Sequence, residues 1–287
     1  MYQSFFVSFA ATMVYYFFLF ISGLIGGFLG GLLGIGGGII YIVVIPVALS
    51  GIGVPRDEIV QYTIANSVFA SFFSSLSANI ILVKNHVFYI REILIMGCVG
   101  IVTSLLLLQY VVNTSWYSKD TFNLVIVVLL LYMLLKTILN ASNGKDEKTK
   151  EDSRFDLKLG LAGLAGGAVS ALSGLGGGVV IIPILHTIFN MDIRKANAIS
   201  LGVIGITSFM MTIFSMFENV KSPTALYHTG YIIFPVALSL AAGVVIASPF
   251  GVKASKVMSA QMLGYLFSFF LALVIIRKII ELAAYSS

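Results

Sequence analysis

Charge is what this sequence has least of. Only 10% of its 287 residues are Asp, Glu, Lys or Arg, against about 25% in soluble domains. None occurs in 1–55, 59–83, 93–118, 121–135, 159–191, 196–217, 222–252 or 257–276. A water-surrounded globule of this size is thereby excluded. The single cysteine, Cys98, allows neither an internal disulfide nor a cysteine-based metal site. The three histidines, His86, His186 and His228, lie far apart without metal-binding spacing. No carboxylate falls well inside an apolar stretch, which removes the usual Asp/Glu proton relay of pumps. Neither triple glycine is followed by the lysine of a phosphate-binding loop, so ATP hydrolysis is not expected. No nucleophile–base pair stands out, and the expectation is a chain that is not an enzyme, with no metal and no cofactor.

What remains is apolar. Hydrophobic residues make up 59% of the chain and the mean hydropathy is +1.02. A helix crossing the bilayer core needs roughly 20 apolar residues. Seven of the eight uncharged windows reach that length, and the eighth does so if Lys136 snorkels from its end. The expected fold is therefore an all-α integral membrane protein with about eight apolar helical segments. A membrane β-barrel is excluded, because its strands would alternate polar and apolar residues. The N-terminal run has no basic region before it and is too long for a cleaved signal peptide, so it reads as a retained span. The net charge of +5 comes from loop residues and fits contact with the inner leaflet rather than nucleic acid.

The chain looks duplicated. Gly26, Gly30, Gly34 and Gly38 recur every four residues, and Gly166, Ser170, Gly174 and Gly178 repeat that spacing in the second half. The runs end in GIGGGIIYIVVIP (34–46) and GLGGGVVIIP (174–183), each followed by a polar turn and a long apolar helix. Those helices carry Thr63 and Ser200 at matching places. Further helices are expected at about 88–113 and 117–139, then 225–250 and 258–282. The organisation expected is a first membrane repeat (1–139), a charged linker (140–158) and a second membrane repeat (159–287). If each glycine segment crosses the membrane once, the copies are parallel. If each folds back on itself, they are inverted and 12 of the 17 Lys and Arg fall on one side. Both topologies make the 140–158 linker cytoplasmic. Inverted repeats are favoured, since a glycine run is where a helix breaks.

Glycine at every fourth position lets another backbone approach a helix closely, which is reason enough for 26–34 and 166–174. Three consecutive glycines are different, because each costs a helix about 1 kcal/mol relative to alanine. Gly36-Gly37-Gly38 and Gly176-Gly177-Gly178 read as intended breaks, tolerated in a membrane only where the freed backbone is buried in protein or lines a polar cavity. The short helices that follow would present N–H groups and the positive end of a helix dipole, a ready anion site. Plain packing and a conformational hinge are the alternatives. Thr63 with Asn66 and Ser67, and Asn197 with Ser200, share helix faces and could donate to an oxyanion; interhelical hydrogen bonding is their simpler role. His186 is the one imidazole inside a membrane segment, with packing or proton coupling as its two readings.

The duplicated glycine elements, each leading to a turn and a helix with a small hydroxyl residue, resemble the TauE/SafE sulfite exporter family over about Phe20 to Leu282. In the second copy the glycines stand four residues before Pro183, whereas in the first the gap to Pro46 is seven. The resemblance implies a cytoplasmic-membrane permease for sulfur-containing anions such as sulfite or organosulfonates, generally an exporter. It also implies that Gly36, Gly37, Gly38, Thr63, Gly176, Gly177, Gly178 and Ser200 form the site. Together with the residues, it predicts a secondary carrier that binds its anion between the broken helices and works by alternating access. An anion channel or facilitator, using the same backbone donors for a different small anion, is the first competitor. A membrane-embedded enzyme or scaffold is the second. Expected partners are the lipid bilayer, a small anion and, if the glycine faces do not all pack internally, a second copy in a homodimer.

Overall fold

The computed structural model describes residues 2–54, 59–112, 155–220 and 226–285, with positions 127, 131, 135 and 224. Most of the span expected at 117–139, the turn residues 55–58 and most of the linker lie outside them. The described chain is helical almost throughout. Its elements are α1 (Tyr2–Leu33), α2 (Gly38–Gly51), α3 (Ile59–Lys84), α4 (Ile90–Leu107), α5 (Phe155–Ser173), α6 (Gly178–Pro183), α7 (Ile193–Met216), a two-residue hairpin β1 (His228–Thr229) and β2 (Ile232–Ile233), α8 (Phe234–Val257) and α9 (Ala260–Tyr285). Single wide turns extend α4 over Leu108–Val112 and α6 over Ile184–Ile188.

Six described helices are long and apolar enough to cross a membrane: Met13–Leu33, Ile59–Lys84, Ile90–Val112, Ile193–Met216, Phe234–Val257 and Ala260–Arg277. The segments Gly38–Gly51 and Gly178–Ile188 are apolar but too short. They do not continue the helices before them. Gly26 packs against the ring of Tyr41, Gly30 against the amide of Gly37, and Gly51 against the ring of Tyr15. Helix α2 thus runs back along α1. In the second copy Gly166 meets Ile181, and Gly177 meets the carbonyl of Gly166. Both glycine segments are helical hairpins, each with its tip at the triple glycine.

The hairpins pack by the small-residue rule. Gly23, Gly27 and Gly31 of α1 lie against the backbone of α8 at Leu240, Val244 and Ser248, with both helices running in the same direction. Gly163 and Gly167 of α5 lie in the same way against α4 at Met96 and Gly100. Each hairpin therefore takes its neighbour from the other half of the sequence. Two four-helix bodies result, α1–α2–α3–α8 and α5–α6–α7–α4. They meet along α3 and α7, where Asn79 donates to the carbonyl of Leu201, Ser75 faces Gly205, and the tilted rings of Phe72 and Phe209 touch with centroids 5.2 Å apart. These pairings descend along α3 as they ascend along α7, so the two helices are antiparallel.

One boundary departs from expectation. Helix α8 starts at Phe234, not near 225, because Pro235 favours a helix start and the backbone before it is held elsewhere. Tyr231 donates to the carbonyl of Ser215, and Phe234 to that of Tyr227. Helix directions place Lys84, Arg91, Lys158, Arg194, Lys195, Lys253 and Lys256 at the end of the molecule where α5 leaves the linker. Cross-half ion pairs tie this end together, Arg91 with Asp156 at 3.0 Å and Lys195 with Glu92 at 3.1 Å.

Candidate functional site at the crossing of two glycine loops

The two hairpin tips come from opposite ends of the molecule and meet halfway along α3 and α7. A methyl group on Gly38 would stand 2.5 Å from the carbonyl oxygen of Leu175, and one on Gly178 would stand 2.8 Å from that of Gly34. Neither position has room for a side chain. The backbone imposes the same residue at Gly36, Gly37, Gly176 and Gly177, with φ of +71°, +82°, +80° and +70°, a left-handed conformation that side chains resist. Among the described residues, none accepts a hydrogen bond from the N–H of any of these four glycines. Each loop ends in a left-handed cap, Gly37 or Gly177, from which the short helix sets out. Unpaired donors at a helix start are the chemistry of an anion site. The two helices are unequal in length. Helix α2 has 14 residues, whereas α6 has six before its backbone widens.

Each tip is pinned to the opposite body by a serine. Ser200 donates to the carbonyl of Gly34 and Ser67 to that of Gly174, both at 2.8 Å. The counterpart of Ser200 in the fold is thus Ser67 and not Thr63. The hydroxyl of Thr63 turns back onto its own helix, to the carbonyl of Ile59. A repeat matched by residue type is one helical turn out of register with the repeat matched by contact. Thr63 and Ser67 share a face, and the sequence offers no means of choosing between their turns.

The amides expected as donors are occupied. Asn66 is fully buried; its side-chain nitrogen donates to the carbonyls of Tyr62 (2.7 Å) and Tyr231 (3.0 Å), and its oxygen accepts from Ile233 N–H (3.1 Å). It clamps the irregular stretch before α8. Asn197, with its amide oriented to satisfy its surroundings, donates to Leu33 and Ile193 carbonyls at 3.1 Å. It closes the carbonyl end of α1. His186 stands in the wide turn at the far end of α6, its Nδ1 2.8 Å from the carbonyl of Met191. It is remote from the loop crossing. The structure therefore brings together Gly36, Gly37, Gly38, Gly176, Gly177 and Gly178 with Ser200. It assigns Asn66 and Asn197 to backbone support, and leaves Thr63 and His186 apart.

One polar feature does not stand out in the sequence. Ser71 on α3, and Ser208 and Thr212 on α7, are buried, and their hydroxyls make no hydrogen bond among the described residues. Such groups are costly in an apolar interior. In the sequence they are lost among the many serines of a membrane helix.

Comparison with known proteins places this architecture. A probable membrane transporter protein of Methanocaldococcus jannaschii is 28% identical over 252 residues, 87% of this chain and 90% of that protein. A probable membrane transporter protein of Haemophilus influenzae is 25% identical over 268 residues, 90% of this chain and 96% of the other. No solved structure is significantly similar to the chain. Residues 19–278 match the sulfite exporter TauE/SafE family, and the chain, with its membrane-spanning helices and paired hairpins, belongs to that family of membrane transporters.

Proposed function

We propose that this chain is a secondary transporter, an exporter for sulfite or a related sulfur-containing anion, that binds its substrate where the two glycine loops cross. The observation that carries the reading is the meeting of two left-handed glycine tips, each with unpaired N–H groups, midway along the antiparallel α3 and α7. Backbone donors at helix starts stabilise an anion without the desolvation penalty of a buried basic side chain. Two such hairpins entering from opposite ends, around a pair of antiparallel equivalent helices, is the arrangement of inverted-repeat carriers. It supports inverted copies within 1–139 and 159–287. By the positive-inside rule, the basic residues gathered where α5 begins support a cytoplasmic side for that end, and with it a cytoplasmic 140–158 linker in a protein of the cell membrane.

Alternating access in such a fold moves two bodies about a fixed site. The bodies that support this are the helix-exchanged ones, α1–α2–α3–α8 and α5–α6–α7–α4, since the intervening seam is where both tips lie. A channel built on the same donors is the competing reading, and saturation separates the two. The test is uptake of sulfite by proteoliposomes carrying the protein, with sulfate, thiosulfate and chloride as competitors. Saturable flux that Gly37→Leu and Gly177→Leu each abolish, with membrane insertion retained, is the expected result. Unsaturable conductance would favour the channel. Full flux in both variants would overturn the loop site.

A further inference from the structure

The walls of the loop crossing are chemically unequal. A methyl group on Gly36 would lie 3.2 Å from Cγ2 of Ile204 and 3.7 Å from Cβ of Ser71. On Gly176 it would lie 3.6 Å from Oγ of Ser71 and 3.7 Å from Cγ2 of Ile204. Each of the two side chains therefore flanks both loops, Ser71 from α3 and Ile204 from α7. Ser71 follows Ser67 by one helical turn, as Ile204 follows Ser200, so the two occupy equivalent places in the copies. One is a hydroxyl and the other a branched alkyl group. Ser71 is fully buried, and its hydroxyl has no hydrogen-bond partner among the described residues. Its Oγ faces Gly176 of the second loop, and its Cβ faces Gly36 of the first. A buried hydroxyl without a partner, next to unpaired N–H groups, is a donor held ready for something the chain does not itself supply.

We propose that Ser71 Oγ donates directly to the transported anion while Ile204 forms an apolar wall opposite, so that the site distinguishes anions by the polarity of one face. This rests on the anion-site reading above and deepens it. An anion whose charge lies on three oxygens, with a lone pair or an alkyl group in the fourth tetrahedral position, can turn its oxygens to Ser71 and the glycine amides and its weakly hydrated face to Ile204. An anion with four equivalent oxygens must bury one against the alkyl wall without a donor, and is rejected for that reason. The selected class is pyramidal oxyanions and alkylsulfonates; sulfate and phosphate are excluded.

The test uses the full-length protein in proteoliposomes with sulfite, methanesulfonate and sulfate as probes, and the variants Ser71→Ala, Ser71→Thr and Ile204→Ser. Loss of one charge-assisted hydrogen bond should raise the sulfite KM of Ser71→Ala about tenfold. Its melting temperature should stay at the wild-type value, because no internal hydrogen bond is lost. Ser71→Thr, which keeps the hydroxyl, should restore the KM. Ile204→Ser should turn sulfate from a non-competitor into a competitor. A wild-type KM in Ser71→Ala, or unchanged discrimination in Ile204→Ser, would overturn the proposal even where the glycine variants block flux. Absence of flux for all three anions in the wild type would overturn the anion site and this inference together.

Discussion

The guanidinium of Arg277 on α9 donates to the carbonyl oxygen of Ile42 on α2 at 2.9 Å. That carbonyl would normally accept from the amide four residues on, but the residue there is Pro46, which has none. Arg277 thus completes the backbone of a hairpin helix that proline leaves unfinished. Replacing Arg277 with Met should destabilise the protein by about 1–3 kcal/mol, the cost of a buried acceptor left unmade. Adding Pro46→Ala should recover part of that loss, since the alanine amide supplies the missing donor. Thermal unfolding in detergent of the two single variants and the double variant would measure the coupling; strict additivity would show that the arginine acts elsewhere.

Asn66 makes its three hydrogen bonds to backbone groups of α3 and of the stretch before α8. Asn66→Leu should cost about 2–4 kcal/mol through the groups it orphans. Residual transport should keep the wild-type KM, because both polar atoms of the amide already hold backbone partners. A raised KM at unchanged stability would return Asn66 to the binding site.

Ser67 and Thr63 differ by one turn and should differ in consequence. Ser67→Ala frees the carbonyl of Gly174 and loosens the second tip, whereas Thr63→Ala removes only a bond within its own helix. Ser67→Ala should match Ser200→Ala in lowering flux several-fold, while Thr63→Ala should stay close to wild type. Initial rates of sulfite uptake at saturating concentration would rank the three. A stronger effect from Thr63→Ala than from Ser67→Ala would restore the register read from the sequence.

Cross-linking separates two ways of moving. In a Cys98→Ser background, cysteines at Ser75 and Gly205 span the seam between the two bodies, with Cβ atoms placed about 3.8 Å apart, the spacing of a disulfide. Cysteines at Gly97 and Ile206, at 3.7 Å, join the two halves of the sequence inside one body. Oxidation should stop transport for the first pair and spare it for the second. Inhibition by the second pair alone would mean that the sequence halves, not the exchanged bodies, move.

Much of this architecture is legible in the order of the amino acids. Windows free of charge locate spans because the bilayer admits no unpaired charge, and the helices found at 59–84, 193–216 and 260–277 lie within or against those windows. The triple glycines locate the helix breaks, because three glycines in a row have no packing use in a membrane that one or two would not serve. The start of α8 is not legible, since it depends on Asn66, far off in the chain, holding the backbone at Tyr231 and Ile233. Nor is the choice between Thr63 and Ser67, which the sequence presents as equal hydroxyls on one helix.

By itself, then, the amino-acid sequence determined that this protein lives in a bilayer, that its spans are helices and where its two glycine-rich segments break. Those are properties of segments, decided by local composition against a uniform apolar solvent. Tertiary structure alone decided that the broken segments fold back, that each hairpin packs on the other half's helix through Gly23, Gly27, Gly163 and Gly167, and that Ser71 and Ile204 face the same two loops. Those depend on which helix faces meet, and in a membrane nearly every face is apolar enough to be buried. Close backbone approach and hydrogen bonds between distant residues select among them.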